Sequence, residues 1–473
     1  MKTNKSQKTI LLEEEKGDPG YEAQKVLLKA FSGTLYHFFG GWRELFKGVR
    51  DGRNPELIRY PLEGVLSTGV LMYLFRLGAR RQINYQLRGN MPSQAKFEAW
   101  FEVDEVPHGD TLNYAFQRIA PPDLQEVVCR MVETLIHKKV LYRWRVYGNF
   151  LLAIDGTGVL TFQERHCTVP VWYTYCLTRK LHNGETLYYH PVLEAKLISA
   201  NGFAFSLMTE FIENSDAKAD KQDCELKACY RLSDRLKARF PHLPICLLLD
   251  GLFAGGPTFQ LCQDYDWRYL ITLQDADLPQ VHRTYELVRS QTPENRKQVR
   301  LGQPQEITQE YHWARQIAYR DSQDRHHTLN VLLCEESKPT RRGDPSPTTF
   351  KWLSNFIPTA RNVDTLANQA GRLRWKVENE GFNIQKNGGF NLEHPYSQND
   401  TARKLFYYLL QIAHLLFQLM EKGSLFRQAF PQGVGSLRYI AFRLLEAWRN
   451  LQLSPMDFCS LYSGHFQICF DTS

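Results

Sequence analysis

Two short apolar runs, each closed by Asp-Gly, constrain this chain more than any other feature. Phe150–Asp155 reads FLLAID and Ile245–Asp250 reads ICLLLD, and glycine follows in both cases. An unbroken apolar run of this length, without alternation, suits a strand buried on both faces of an α/β sheet. Between them lie three strand-like runs, VWYTYCL (171–177), TLYYHPVLEAKLI (186–198) and FAFSLMTEF (203–211), with Asn183-Gly184 and Asn201-Gly202 as hairpin signals. A helix over 219–240 follows, with Leu226, Cys229, Tyr230, Leu232 and Leu236 on its apolar face and Pro241 and Pro244 at its end. WRYLITL (267–273) reads as a further strand.

This order lets the two Asp-terminated strands lie side by side and parallel, joined by a right-handed crossover. Asp155 and Asp250 then meet at the switch point of the sheet, where open α/β sheets place their sites. Adjacent strands are ~4.8 Å apart. Carboxylates at that distance repel unless a cation lies between them, and hard divalent ions such as Mg²⁺ or Mn²⁺ take such oxygen ligands. Read singly, each Asp-Gly is a turn after a strand; the matched pair points to a metal site.

The rest of the chain frames this centre. Residues 1–25 are polar, end in Asp18-Pro19-Gly20 and read as a mobile arm. A helical region occupies 26–146, with apolar spacing at Leu62, Val65, Leu66, Val70, Tyr73 and Leu74 and further helices over 111–119 and 123–141. The sheet domain covers 147–274 and resumes over 351–395. Between these parts, 275–350 is proline-dotted with β-like pieces (306–313 and 327–335) and reads as a β-rich insertion. TFKWLSNF (349–356) is strand-like, one long helix is expected over 362–386, and 396–473 is helical again. With 58 Lys and Arg against 51 Asp and Glu, the net charge of +7 permits an anionic partner without demanding one. The N-terminus lacks the apolar stretch of a secretory signal, no run is long enough to span a bilayer, and the ten cysteines form no CxxC pair. A cytoplasmic protein is the expectation.

A third acid is sought in GRLRWKVENEGFNIQKNGGFNLEH (371–394). Arg374 and Glu378, four apart, share a helix face; Glu380 points elsewhere. Lys386 lies in the last turn before Asn387-Gly388-Gly389. On spacing alone a surface ion pair is the preferred reading. Leu77-Gly78-Ala79-Arg80-Arg81 puts two arginines after an apolar helix, as a phosphate contact or as a solvated helix end.

LLAIDGTG (151–158), KQDCELKA (221–228), LLLDGLF (247–253) and above all RWKVENEGFN with KNGGFNLEH resemble the bacterial insertion-sequence DDE transposases whose catalytic domain is RNase H-like. That group carries Tyr-x2-Arg-x3-Glu-x6-Lys on the helix of its third acid. Arg374 and Glu378 match the Arg-x3-Glu; the Tyr position falls on Gly371 and the Lys position on Gln385, with Lys386 one residue later. The resemblance covers roughly residues 60–420 and implies an RNase H-like α/β fold interrupted by a β-rich insertion. It implies Asp155, Asp250 and Glu378 as the catalytic, metal-holding trio, with two Mg²⁺ or Mn²⁺ ions. Arg374 and Lys386 are then the DNA-gripping cations. The implied activity is cut-and-paste transposition: binding of terminal inverted repeats, then strand cleavage and transfer, on double-stranded DNA and as a homodimer. Trp375 reads as core before it reads as a base-stacking residue. The competing readings are an RNase H-like nuclease that cuts without joining, a non-catalytic DNA-binding descendant and, more distantly, a glycosidase with paired carboxylates.

Overall fold

The structure, a computed structural model, describes residues 19–162, 177–181, 183–214, 223–302, 307–338, 347–433, 435–454, 457 and 467–470. The chain forms two units, one drawn from Met1–Thr134 and Ile384–Ser473, the other from Leu135–Asn383. Of the expected arm, 1–18 lies outside the described residues, as does most of the 171–177 run. Residues 19–25 are helical: α1 spans Pro19–Phe39, because Pro19 starts a helix as readily as it ends one.

The helical unit continues with α2 (Trp42–Phe46), α3 (Leu62–Leu74), α4 (Arg81–Gln86), α5 (Met91–Phe101), α6 (Gly109–Phe116) and α7 (Pro121–His137). Every residue of α3 from Gly64 to Leu74 is buried, so it is a central helix rather than an amphipathic one. α6 begins two residues before the expected start, and its N-cap is His108, whose Nδ1 accepts from the Asp110 amide at 3.1 Å.

In the other unit the strands are β1 (Phe150–Phe162), β2 (Leu177–Lys180), β3 (Thr186–Ile198) and β4 (Ala204–Phe211). α8 (Glu225–Arg239), β5 (Ile245–Leu249), α9 (Gly256–Asp264) and β6 (Arg268–Thr272) follow. Then come α10 (Pro279–Gln291), β7 (Arg296–Leu301), β8 (Ile307–Arg320), β9 (His326–Ser337), β10 (Thr348–Ser354) and α11 (Val363–Gln369). One mixed, mostly antiparallel sheet runs in the order β2-β3-β1-β5-β6-β10-β9-β8-β7, with β4 also on β3. Both Asn-Gly pairs turn as expected, with Gly184 at φ 83° and Gly202 at φ 88°. The parallel pairs are β1 with β5 and β5 with β6. Helix α8 makes the crossover and buries Ala228, Cys229, Leu232 and Leu236. Strands β7–β9 of the 275–350 segment do not form a sheet of their own. β10 pairs with both β6 and β9, and its buried Trp352 and Leu353 carry the central sheet outward.

β1 departs from the expected short strand. It runs on through Asp155-Gly156 because β3 is equally long and pairs with it to Phe162, Asp155 lying opposite Glu194. The expected helix over 362–386 is broken. After α11 the chain makes a 3₁₀ turn (Gly371–Trp375), then a π-turn (Val377–Phe382), then α12 (Asn383–Asn387). Gly371 lies flat against Trp352: a Cβ there would stand 2.7 Å from the indole, so the ring occupies the place a larger side chain would need.

α12 returns the chain to the helical unit, followed by α13 (Asp400–Lys422), α14 (Ser424–Ala429) and α15 (Leu437–Asn450). α13 packs on α3, and Gly69 permits the approach, since a Cβ there would fall 2.7 Å from Leu409. Among the described residues no helix is long and apolar enough to cross a membrane.

Candidate active site

The parallel ladder between β1 and β5 ends with Ala153 level with Leu248. Two residues further along each strand stand Asp155 and Asp250, at equivalent positions where β1 leaves β5 behind. The Asp155 Oδ1 accepts the Gly156 amide at 2.9 Å, and the Asp250 Oδ1 caps a 3₁₀ turn through the Leu252 amide at 3.0 Å. Each aspartate therefore does begin a local backbone bond, and each keeps a second oxygen for other work.

Arg374 and Glu378 come from the broken helix. The Arg374 Nη1 lies 3.6 Å from the Asp155 Oδ2. Its Nε is buried without a hydrogen-bond partner among the described residues, a donor suited to an incoming anion. Glu378, on the π-turn, is exposed at the surface, and its charge reaches Asp155. Glu380, half-buried on the same turn, pairs with Lys376 at 3.7 Å. The π-turn sets this direction, and such turns recur at functional positions.

A fourth carboxylate, missed in the sequence, joins them. Glu225 lies in the first turn of α8 and packs against Gly156, where a Cβ would sit 2.3 Å from its Oε1. Only glycine lets it approach so closely. The signal available was an acid in the first turn of the KQDCELKA helix, with Asp-Gly at the strand it packs on.

The electrostatics follow from crowding. Desolvation pushes the Asp155 carboxyl up to about 6; the Arg374 guanidinium and the Gly156 amide oppose this, and the charges of Asp250 and Glu378 add to it. Burial, then Asp155 and Asp250, raises the Glu225 carboxyl as well. Beneath the site, Glu194 and Lys196 form a fully buried pair at 3.3 Å, with hydrogen bonds from Ser206 and Thr209 to Glu194. The Lys196 ammonium lies 5.3 Å from the ring of Phe382 on the π-turn. This pair ties the floor of the site to the element carrying Glu378.

As they stand, no three carboxylate, thiol or imidazole groups among the described residues come close enough to clasp one ion. The acids gathered here present oxygen atoms only, the kind of ligand that hard divalent cations take, and one guanidinium stands beside them.

Trp375 is 52% exposed, contrary to the core expectation, because the 3₁₀ turn swings it outward; the Arg374 guanidinium lies 5.0 Å from its ring. Lys386 is not brought to this cluster by the sheet unit's own fold. It belongs to the helical unit, where it pairs with Glu393 at 2.8 Å, while Gln385 is buried against Gln411 and His414. Neither a protein-family model nor a curated protein matches this chain.

Proposed function

We propose that this chain is a DNA transposase of RNase H-like architecture, cutting and joining phosphodiesters at an acidic, divalent-cation site. One observation carries the reading: Asp155 and Asp250 each come two residues after the last paired rung of two adjacent parallel strands, with Arg374 beside Asp155 and the charge of Glu378 within reach. The order β4-β3-β1 antiparallel, then β5 and β6 parallel, with α8 as crossover, supports the RNase H-like part.

In this reading Asp155, Asp250 and Glu378 hold Mg²⁺ or Mn²⁺, and Glu225 adds negative charge beside them. A divalent cation bound there neutralises phosphate charge and activates a water or a DNA 3′-hydroxyl for in-line displacement. The residues of the chain do the positioning. Asp155, with its raised affinity for a proton, gives that proton up as positive charge gathers at the site. Arg374 turns its unpartnered Nε to a phosphate oxygen, and its planar fork suits that geometry. Trp375, exposed beside it, offers a stacking face to an unpaired base. Lys386, the other cation that the resemblance assigns to DNA, belongs to the helical unit, where it pairs with Glu393.

The test is to look for inverted repeats in the DNA that flanks the gene and to run a strand-transfer assay on labelled DNA that carries them. Divalent-dependent cleavage followed by joining is expected. Cleavage without joining would reduce the protein to a nuclease, and binding with neither would make it a non-catalytic DNA-binding protein.

A further inference from the structure

The helical unit gathers arginine side chains that have no carboxylate partner among the described residues. A cavity of about 460 Å³ opens beside the end of α3, α4 and α15. Three guanidinium groups line it, from Arg76, Arg438 and Arg449, with one carboxylate, Glu446. That carboxylate is already engaged by Arg443, 2.8 Å away on the same helix. Among the described residues the three arginines bond only neutral acceptors. Arg76 donates to the carbonyls of Gly388 and Tyr73 at 3.1 and 2.8 Å, Arg438 to the carbonyl of Asn387, and Arg449 to the amide oxygen of Gln86 at 2.9 Å.

These neutral bonds leave donors unused. The Nη2 of Arg76 and the Nε of Arg449 are shut off from solvent and have no hydrogen-bond partner among the described residues. Arg76 is further enclosed by the rings of Phe390 and Phe417, 3.3 and 4.6 Å from its guanidinium carbon. Burial, with the charge of Arg438, pushes its pKa well down, which is the signature of a cation lacking its counter-ion. Arginine does not escape by losing its proton under ordinary conditions. An anion in the cavity relieves the repulsion between the guanidinium groups.

The rim narrows the choice of anion. Phe442 lines the cavity and is 52% exposed; Tyr439, 47% exposed, stacks on it at 6.3 Å. Exposed aromatic faces beside clustered arginines suit a nucleic-acid strand, with phosphate on the guanidinium groups and base or sugar on the rings. We propose that this cavity is a phosphodiester-binding site, taking a backbone phosphate of DNA between Arg76, Arg438 and Arg449. That the phosphate belongs to DNA rests on the proposed function; the demand for an anion does not.

The test reads binding of the full chain to a labelled duplex by fluorescence anisotropy over a salt series, without divalent cation. It compares wild type, Arg438→Gln/Arg449→Gln, and Arg43→Gln. Arg43 is an exposed control in the same unit, paired with Glu102 at 2.7 Å. The double variant is expected to bind about tenfold more weakly at 0.1 M salt. Its slope of log affinity against log salt should fall by about 0.9 for each phosphate that it no longer neutralises, with the control unchanged. Arg438→Gln alone, at an exposed residue, serves if the double variant melts early. Unchanged affinity and slope in the folded variant would overturn the proposal. A second arm measures thermal melting with inorganic phosphate at matched ionic strength. A phosphate-dependent rise that disappears in the double variant, together with unaltered DNA binding, would overturn the DNA assignment in favour of a free phosphate. Since no cleavage is read, failure here leaves the acidic site untouched, and failure of the cleavage assay leaves this site standing.

Discussion

In the sheet unit four carboxylates, Asp155, Glu225, Asp250 and Glu378, have among the described residues one ion pair, from Arg374 to Asp155. In the helical unit three guanidinium groups, Arg76, Arg438 and Arg449, line one cavity and have no carboxylate bound among the described residues. The two imbalances are opposite in sign and are tolerated by different chemistry. A carboxylate relieves repulsion by taking a proton, and Asp155 accordingly sits at about 6. A guanidinium keeps its proton and must lean on carbonyl oxygens and aromatic rings, as Arg76 does. The acidic site should therefore respond to pH and divalent ions, and the basic one to salt and phosphate.

The largest expected effect breaks the acidic side. Asp250→Asn keeps the shape of the side chain and its place at the turn but removes a charge. Cleavage should fall by on the order of 10⁴-fold, about 5 kcal/mol, while affinity for DNA without divalent ions persists. Full cleavage by the folded variant would remove Asp250 from the trio.

Next comes the floor of that site. Lys196→Met strands Glu194 in a fully buried position and should cost the fold about 3–5 kcal/mol by urea denaturation. Arg43→Gln, at an exposed pair in the helical unit, should cost under about 1 kcal/mol. Equal losses would mean that the buried Glu194–Lys196 pair does not hold the fold together.

A third effect isolates protonation. Asp155 binds its proton more tightly folded than unfolded, so the native state holds more protons between about pH 4 and 6. Stability of the wild type therefore falls as pH rises through that window. Asp155→Asn should be more stable than wild type by about 2–3 kcal/mol above pH 6 and no different near pH 4. A variant destabilised at every pH would assign the carboxylate a structural task instead.

The smallest concerns the close approach at Gly156. Gly156→Ala meets the movable end of Glu225 rather than backbone, so it should cost about 1 kcal/mol or less. Swinging Glu225 aside should lower the Glu225 carboxyl, visible in its NMR titration, because Asp155 and Asp250 help to raise it. An unmoved titration would show that Glu225 does not feel the cluster.

What the sequence made legible were features with a local chemical cause. Unalternating apolar runs marked β1 and β5, Asn-Gly marked two hairpins, and together they put Asp155 beside Asp250. What stayed hidden depends on close approach in three dimensions. The expected helix breaks at Gly371, which lies against Trp352, and the chain then makes the π-turn that carries Glu378. Glu225 reaches the cluster only because Gly156 lacks a side chain. The arginine cavity joins residues from α3, α4 and α15, far apart in the chain, and no spacing rule connects them.

The central claim, that the acidic cluster is built for a divalent cation, is tested most directly by calorimetric titration of Mn²⁺ into the full chain at pH 6. Repeating it in buffers of different ionisation heat counts the protons released. The expected result is binding by the wild type with release of about half a proton, as a carboxyl of pKa about 6 gives up its share, and loss of binding in Asp250→Asn. Binding of equal strength in that variant, or none in the wild type, would contradict it.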